Sequence, residues 1–222
     1  MDLIEALRTT GAARSFTDEP VSDETVAAIL DTARFAPSGG NRQGWRGAVV
    51  DDVVIRREIA ALTQPVWNQY IAQSGGTRAP FNAIDNVAPD LSARPIRNEI
   101  NEVIETIPVV LAIAVDLSLI SMMDKDLERP SIVGGASIYP FCWSILLAAR
   151  AHGLSGVLTT FLSRTEPAAS PLLGLPPEHA LAALVVLGHP VKQITKLSRK
   201  PLESFATRNR FDGPAFEATE PG

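Results

Sequence analysis

The longest apolar run in the chain, Ile138–Ala149, is twelve residues interrupted only by Pro140 and Ser144. Continued to His152 it has the length of a helix and is apolar almost all round. Such a helix belongs in the middle of a fold, not on its surface. Twelve residues fall short of the roughly 20 needed to cross a bilayer, so the run predicts a core helix and no membrane span. Gly153 is well placed to end it.

The remaining elements follow from that anchor. Pro108–Val115 is continuously apolar and reads as a buried strand. Gly156–Leu162 and Leu181–Leu187 read as two more, and Gly47–Asp51 as a fourth, shorter one. Asp2–Arg8 predicts a short helix. Ser22 is a good N-cap, Asp23 and Glu24 suit the first turn, and Val26, Ile29, Leu30 and Ala33 recur at helical spacing up to Pro37. Val53–Leu62 predicts another helix. Four strands and six or more helices make an α+β class, with a single domain over residues 1–212. One small sheet cannot cover so many helices, so some are expected to pack on a second copy. The stretch 75–95 is poorly periodic and rich in Gly and Pro; with 117–129 it is expected to form lid or substrate-wall segments. Residues 213–222 read as a tail.

Composition removes several classes. The net charge is −5 over 222 residues, which disfavours nucleic acid as a partner. A single cysteine, Cys142, cannot form an intrachain disulfide, in keeping with a reducing compartment. The chain opens on Asp2 and Glu5, not on a basic then apolar leader, so a cytoplasmic location is expected. His152, His179 and His189 show no metal-type spacing, and neither a Gly-x-Ser-x-Gly elbow nor a Gly-x-Gly-x-x-Gly or P-loop motif occurs. Cys142, inside the apolar run, is expected to be core.

Three stretches can carry chemistry. Arg14 follows the small residues Gly11, Ala12 and Ala13, which allow a ligand close to the backbone, and a guanidinium offers an oxyanion two donors. A surface arginine paired with Asp18 or Glu19 is the competing reading. Pro37-Ser38-Gly39-Gly40-Asn41-Arg42-Gln43-Gly44-Trp45 is dense in neutral donors and acceptors, which suits a polar heteroaromatic or ribose-like ligand; an ordinary helix-to-strand loop would look similar. From Lys192 to Arg210 six cations face one acid, Glu203, which points to an anion such as phosphate or else to a solvated basic face. Trp67, Tyr70 and Phe81 flank the irregular stretch and suit either stacking on a substrate or packing.

Taken in order, a further set of residues resembles the FMN-dependent nitroreductase family. The set begins with Arg14-Ser15-Phe16-Thr17-Asp18-Glu19-Pro20-Val21 and Ala33-Arg34-Phe35-Ala36-Pro37-Ser38, followed by Asn41-x-Gln43-x-Trp45. Ala148-Ala149-Arg150-Ala151-His152-Gly153-Leu154, Leu187-Gly188-His189-Pro190 and Arg199-Lys200-Pro201-Leu202-Glu203 complete it. The resemblance implies a nitroreductase-like α+β fold, a small central mixed sheet flanked by helices, in an intertwined homodimer with two FMN sites at the interface. It implies that Ala12 and Arg14 lie at the cofactor. Pro37, Ser38, Gly39 and Asn41 reach it from the partner chain. Leu158, Thr159 and Thr160 run along its ring with a backbone N–H near N5, and Arg199 with Lys200 meets its phosphate. Two departures stand out. Thr10-Gly11-Ala12 occupies the place of an Arg-x-Ser, and Gln43-Gly44-Trp45 that of Gln-Pro-Trp.

The activity implied is ping-pong transfer of hydride from NADH or NADPH, through FMN, to a nitroaromatic or quinone-like small molecule. No side-chain acid or base is needed for it. Dehalogenation, flavin fragmentation, enoate reduction and non-catalytic flavin binding are the alternatives on the same scaffold.

Overall fold

The computed structural model describes residues 2–85 and 96–217. The end of the expected lid, 86–95, and the end of the expected tail, 218–222, lie outside the described residues. The elements in chain order are α1 (Leu3–Thr9), α2 (Asp23–Ala33), β1 (Trp45–Val49), α3 (Val53–Gln73), α4 (Glu99–Val103), β2 (Val109–Asp116), α5 (Tyr139–Ala151), β3 (Ser155–Thr159), α6 (Glu166–Leu173) and β4 (His179–Gly188). The four strands form one sheet in the order β1-β2-β4-β3.

Every pairing in that sheet is antiparallel. This corrects the expectation of a mixed sheet. The parallel contact present is one isolated bridge, Ala12 to Gly156, closed by the Ala13 N–H donating to the Gly156 carbonyl at 2.9 Å. The stretch before Arg14 touches β3 at that point and does not become a strand.

β2 and β4 are buried along nearly their whole length because both sheet faces are covered, which is why they read as unbroken apolar runs. Leu111, Ile113, Val185 and Leu187 pack with Ile29, Ile145 and Ala149 on one face. Val110, Ala112, Leu184 and Val186 pack with Ile59, Ile104 and Leu162 on the other. A strand's two-residue alternation thus feeds two separate cores.

α5 runs through the first core with Cys142, Ile145 and Ala149 fully buried, and Gly153, at φ 76°, follows its end as expected. One side of it is not buried: Tyr139 and Trp143 remain 43% and 39% exposed. Ser22 caps α2 by accepting the Thr25 N–H at 3.3 Å.

Several boundaries differ from expectation. β1 lies two residues earlier, β3 stops at Thr159 where Phe161–Thr165 tightens into a 3-10 turn, and α3 runs on through Pro65 to Gln73. Pro65 removes one internal hydrogen bond from α3. The helix continues because its second half carries Trp67 and Tyr70, whose rings pack on Phe161. Among the described residues no helix is long and apolar enough to cross a membrane.

Candidate functional site

A cavity of about 610 Å³ opens between the second half of α3, the start of α4 and the free edge of β3. Its size is in the usual range for a small-molecule site. Arg14, Leu158, Thr159 and Thr160, all expected at the site, line it together. Arg14 is exposed and forms no ion pair among the described residues, so its pairing with Asp18 or Glu19 is not what the structure shows.

β3 is an edge strand, hydrogen-bonded to β4 on one side only. The Gly156 carbonyl turns away from β4 toward Ala13. By the strand's alternation the N–H and C=O of Leu158 turn the same way, into the cavity. The edge therefore presents backbone hydrogen-bonding groups to whatever lies beside it.

The opposite wall is aromatic. Trp67 stacks on Tyr70 with centroids 6.0 Å apart, and Phe161 meets both edge-on at 5.6 and 5.4 Å. The Trp67 indole N–H donates to the Arg97 carbonyl at 2.9 Å, which fixes the ring. Of the three aromatics named from the sequence, Trp67 and Tyr70 line the cavity, while Phe81 lies under the Arg164 guanidinium, 4.4 Å from its ring centroid.

The α4 wall was not legible as a site. Asn98 is 7% exposed and borders the cavity. Its Oδ1 caps α4 by accepting the N–H groups of Ile100 and Asn101 at 3.1 and 3.3 Å. Its amide nitrogen donates to no other described residue. The available signal was Asn98 ahead of Glu99 and Glu102, an N-cap followed by acids. Asn101 is bound to Thr63 and Gln64 at 3.0 and 3.1 Å, which ties α4 to α3.

The other expected residues lie elsewhere. Ala12 sits at the bridge to Gly156, beside the cavity's edge strand. Pro37, Ser38, Gly39 and Asn41 do not line this cavity. Gly39–Asn41 is a 3-10 turn whose first N–H donates to Ser137 Oγ at 3.1 Å, and Ser38 Oγ accepts the Gln43 N–H at 2.9 Å. Arg199 and Lys200 are exposed on the segment after β4, outside the cavity. Cys142 is core, as expected, and burial pushes its thiol up to about 12.

The antiparallel sheet thus carries at its edge a cavity lined by a cation, strand backbone and an aromatic wall. The chain belongs to the nitroreductase family, whose model matches residues 7–189. It is 28% identical over 227 residues to nitrobenzene nitroreductase of Ectopseudomonas oleovorans, across 91% of this chain and 95% of that one. It is 27% identical over 205 residues to human iodotyrosine deiodinase 1, across 91% of this chain and 66% of that one. The NADPH:FMN oxidoreductase of Vibrio harveyi, solved with NAD+, shares the fold at TM-score 0.68 and 21% identity, over 94% of this chain and 77% of that one.

Proposed function

We propose that this chain is an FMN-dependent oxidoreductase that draws on NADH or NADPH and reduces a nitroaromatic or quinone-like acceptor. The observation that carries the reading is the convergence of Arg14, the open edge at Leu158–Thr160 and the Trp67–Tyr70–Phe161 wall on one cavity. These residues fit an isoalloxazine. The ring needs donors and acceptors along one edge, and the Leu158 backbone and the Asn98 amide supply them. It gains negative charge on reduction, and Arg14 sets a cation in the same cavity. When bound, FMN supplies the redox chemistry, accepting hydride from the nicotinamide and passing it to the acceptor.

The protein's part is position and electrostatics. Arg14 stabilises developing negative charge. Leu158 orients the ring edge through its backbone. Trp67, Tyr70 and Phe161 exclude water and offer aromatic faces to a flat acceptor. The segments 75–85 and 117–129 are substrate walls in this reading.

The active form is a homodimer. Leu3 and Ile4 on α1 are 67% and 58% exposed, Phe35 after α2 is 76% exposed, and α5 leaves Tyr139 and Trp143 uncovered. That much apolar surface suits a second copy. In the dimer, Pro37, Ser38, Gly39 and Asn41 serve the other copy's cavity, which accounts for their position away from their own. Reductive dehalogenation is the second reading, favoured by the similarity to human iodotyrosine deiodinase 1.

The test is the absorption spectrum of the purified protein with added FMN, before and after anaerobic NADH or NADPH. Bound flavin that bleaches supports the reading. Nitroaromatic, quinone and halophenol acceptors then separate the two activities. A colourless protein that refuses FMN overturns both.

A further inference from the structure

Phe81 holds a backbone conformation that its own side chain disfavours. Its φ is 51°, in the left-handed region that glycine enters freely and a bulky aromatic residue rarely does. Such a conformation persists where the surroundings impose it. Two groups clasp the residue here. The Phe81 N–H donates to Gln73 Oε1 at 2.9 Å, and the Arg164 guanidinium lies over the ring, 4.4 Å from its centroid. Arg164 forms no ion pair among the described residues, so no carboxylate there competes with the ring for its charge.

The two clasping residues come from the two sides of the cavity's aromatic wall. Gln73 is the last residue of α3, three positions after Tyr70, so their side chains are neighbours on the helix surface. Arg164 lies three positions after Phe161 on the 3-10 turn Phe161–Thr165, where side chains at that spacing eclipse. Phe81 therefore joins α3 to the turn a second time, beside the place where Tyr70 and Phe161 meet at 5.4 Å. It does not line the cavity itself. Its loop is braced from within. Asn82 Oδ1 accepts the N–H groups of Ile84 and Asp85 at 3.0 and 2.9 Å, and Asn82 Nδ2 donates to the Ala79 carbonyl at 3.2 Å.

We infer that Phe81 is a positioning residue for the aromatic wall, pinning the end of α3 to the turn after β3 so that Trp67, Tyr70 and Phe161 present a fixed face to a flat acceptor. The inference rests on the proposed function, which assigns that wall to the acceptor. Aromatic pairs tolerate a range of offsets, so three rings alone leave the wall adjustable. A fourth ring, clasped by a hydrogen bond and a cation, fixes it from behind. A wall ordered beforehand spares the acceptor the cost of ordering it, so Phe81 acts on acceptor affinity and not on the chemistry. The conformation at Phe81 makes this separable from stability. Glycine at position 81 removes the ring and relieves the backbone at once.

Steady-state kinetics of the FMN-loaded full chain at saturating NADH or NADPH, together with thermal melts, tests the assignment. Two acceptors are compared: a flat one (nitrobenzene or 1,4-naphthoquinone) and ferricyanide, which takes electrons without stacking. Phe81→Gly is expected to raise KM for the flat acceptor about 10-fold and to leave kcat and the ferricyanide KM within about 3-fold. Its melting temperature is expected to stay within about 4 °C of wild type. Phe81→Tyr keeps a ring under Arg164, and its flat-acceptor KM is expected to stay within about 2-fold of wild type. Arg164→Met keeps the aliphatic stem without the charge and is expected to raise that KM about 3-fold, the value of one exposed cation–π contact. It carries the test if the glycine variant does not fold. A flat-acceptor KM unchanged in both Phe81→Gly and Arg164→Met overturns the inference. So does a rise that ferricyanide shares, or one that Phe81→Tyr shows equally, since either marks Phe81 as a residue of the fold alone. A wild type that reduces neither flat acceptor overturns the proposed function and the inference with it, a result seen before any variant is compared.

Discussion

Trp67 and Phe161 meet edge to face with their ring centroids 5.6 Å apart, across the gap between the middle of α3 and the turn that follows β3. One belongs to a helix and the other to the 3-10 turn that follows the strand bordering the cavity. Their contact therefore joins α3 to the turn along the aromatic side of the cavity. It also explains how α3 continues past Pro65, since the packing offsets the lost backbone bond.

Replacing Trp67 by Ala is expected to raise KM for an aromatic acceptor about 10-fold, the scale of one lost aromatic contact with its buried area. Trp67→Phe keeps a ring and loses only the bond to the Arg97 carbonyl, so its KM is expected to stay within about 3-fold of wild type. Steady-state kinetics with a nitroaromatic measures both. Equal effects from the two variants would show that the indole N–H, not the ring face, matters.

Arg14→Ala is expected to slow flavin reduction by NADH or NADPH about 10- to 100-fold, because a cation aimed at developing negative charge is lost. Arg14→Lys keeps the charge and is expected to retain most of the rate. Anaerobic stopped-flow absorbance reads this step apart from acceptor binding. An alanine variant with the wild-type rate would remove Arg14 from the proposed site.

Arg56 ties the sheet to its helical cover. Its side chain is 7% exposed and donates to the carbonyls of Val50 and Ile107, both at 2.7 Å, and of Glu105 at 3.2 Å. Asp51 stands 3.8 Å away. Burial lowers the guanidinium's pKa, with Asp51 opposing, and these carbonyls with that of Ile104 keep the buried cation solvated. Arg56→Met strands those acceptors and is expected to cost about 3–5 kcal/mol in urea unfolding. A loss under about 1 kcal/mol would mean that water replaces the guanidinium.

The buried thiol of Cys142, raised to about 12, is expected to resist iodoacetamide in the folded protein at pH 8 and to react promptly in urea. Mass spectrometry before and after denaturation distinguishes the two states. Rapid labelling of the native protein would place Cys142 on an opening surface instead of in the core with Ile145 and Ala149.

The parts of this fold that were legible are those fixed by local chemistry. Ser22 announced α2 because a hydroxyl cap is a local interaction, and β2 and β4 announced themselves because two covered faces leave no room for polar residues. Arg14 was marked by the small residues before it, and Leu158–Thr160 came from the order of motifs. What stayed hidden depends on contacts distant in sequence. α3 outran Pro65 because of Phe161, nearly a hundred residues later. Asn98 reached the cavity wall only when α4 closed against α3 through Thr63 and Asn101, and no five-residue helix has a periodicity to read. The mixed sheet was an expectation of resemblance, and strand direction is not written in a strand's own composition.

Asp124 offers a pH test of how the 117–129 segment is held. Its carboxylate is 5% exposed and gathers Ser131 Oγ at 2.5 Å, Arg129 Nη1 at 2.6 Å and the Ile132 N–H at 2.9 Å. These bonds, the Ser131 hydroxyl foremost, hold its pKa well below the usual carboxylate range. A group that binds its proton less readily when folded stabilises the fold wherever the unfolded carboxylate is ionised, above about pH 4. That contribution fades as the pH falls below this value toward the folded pKa. Asp124→Asn removes the charge, so its melting temperature is expected to lie below wild type at pH 7. The gap should hold down to about pH 4 and narrow as acid is added, because only the wild type has a proton to gain there. Circular dichroism melts at pH 7, 5 and 3 measure the gap. A gap that stays constant through the acid range would mean that Asp124 holds its loop by shape and neutral hydrogen bonds, with no help from its charge.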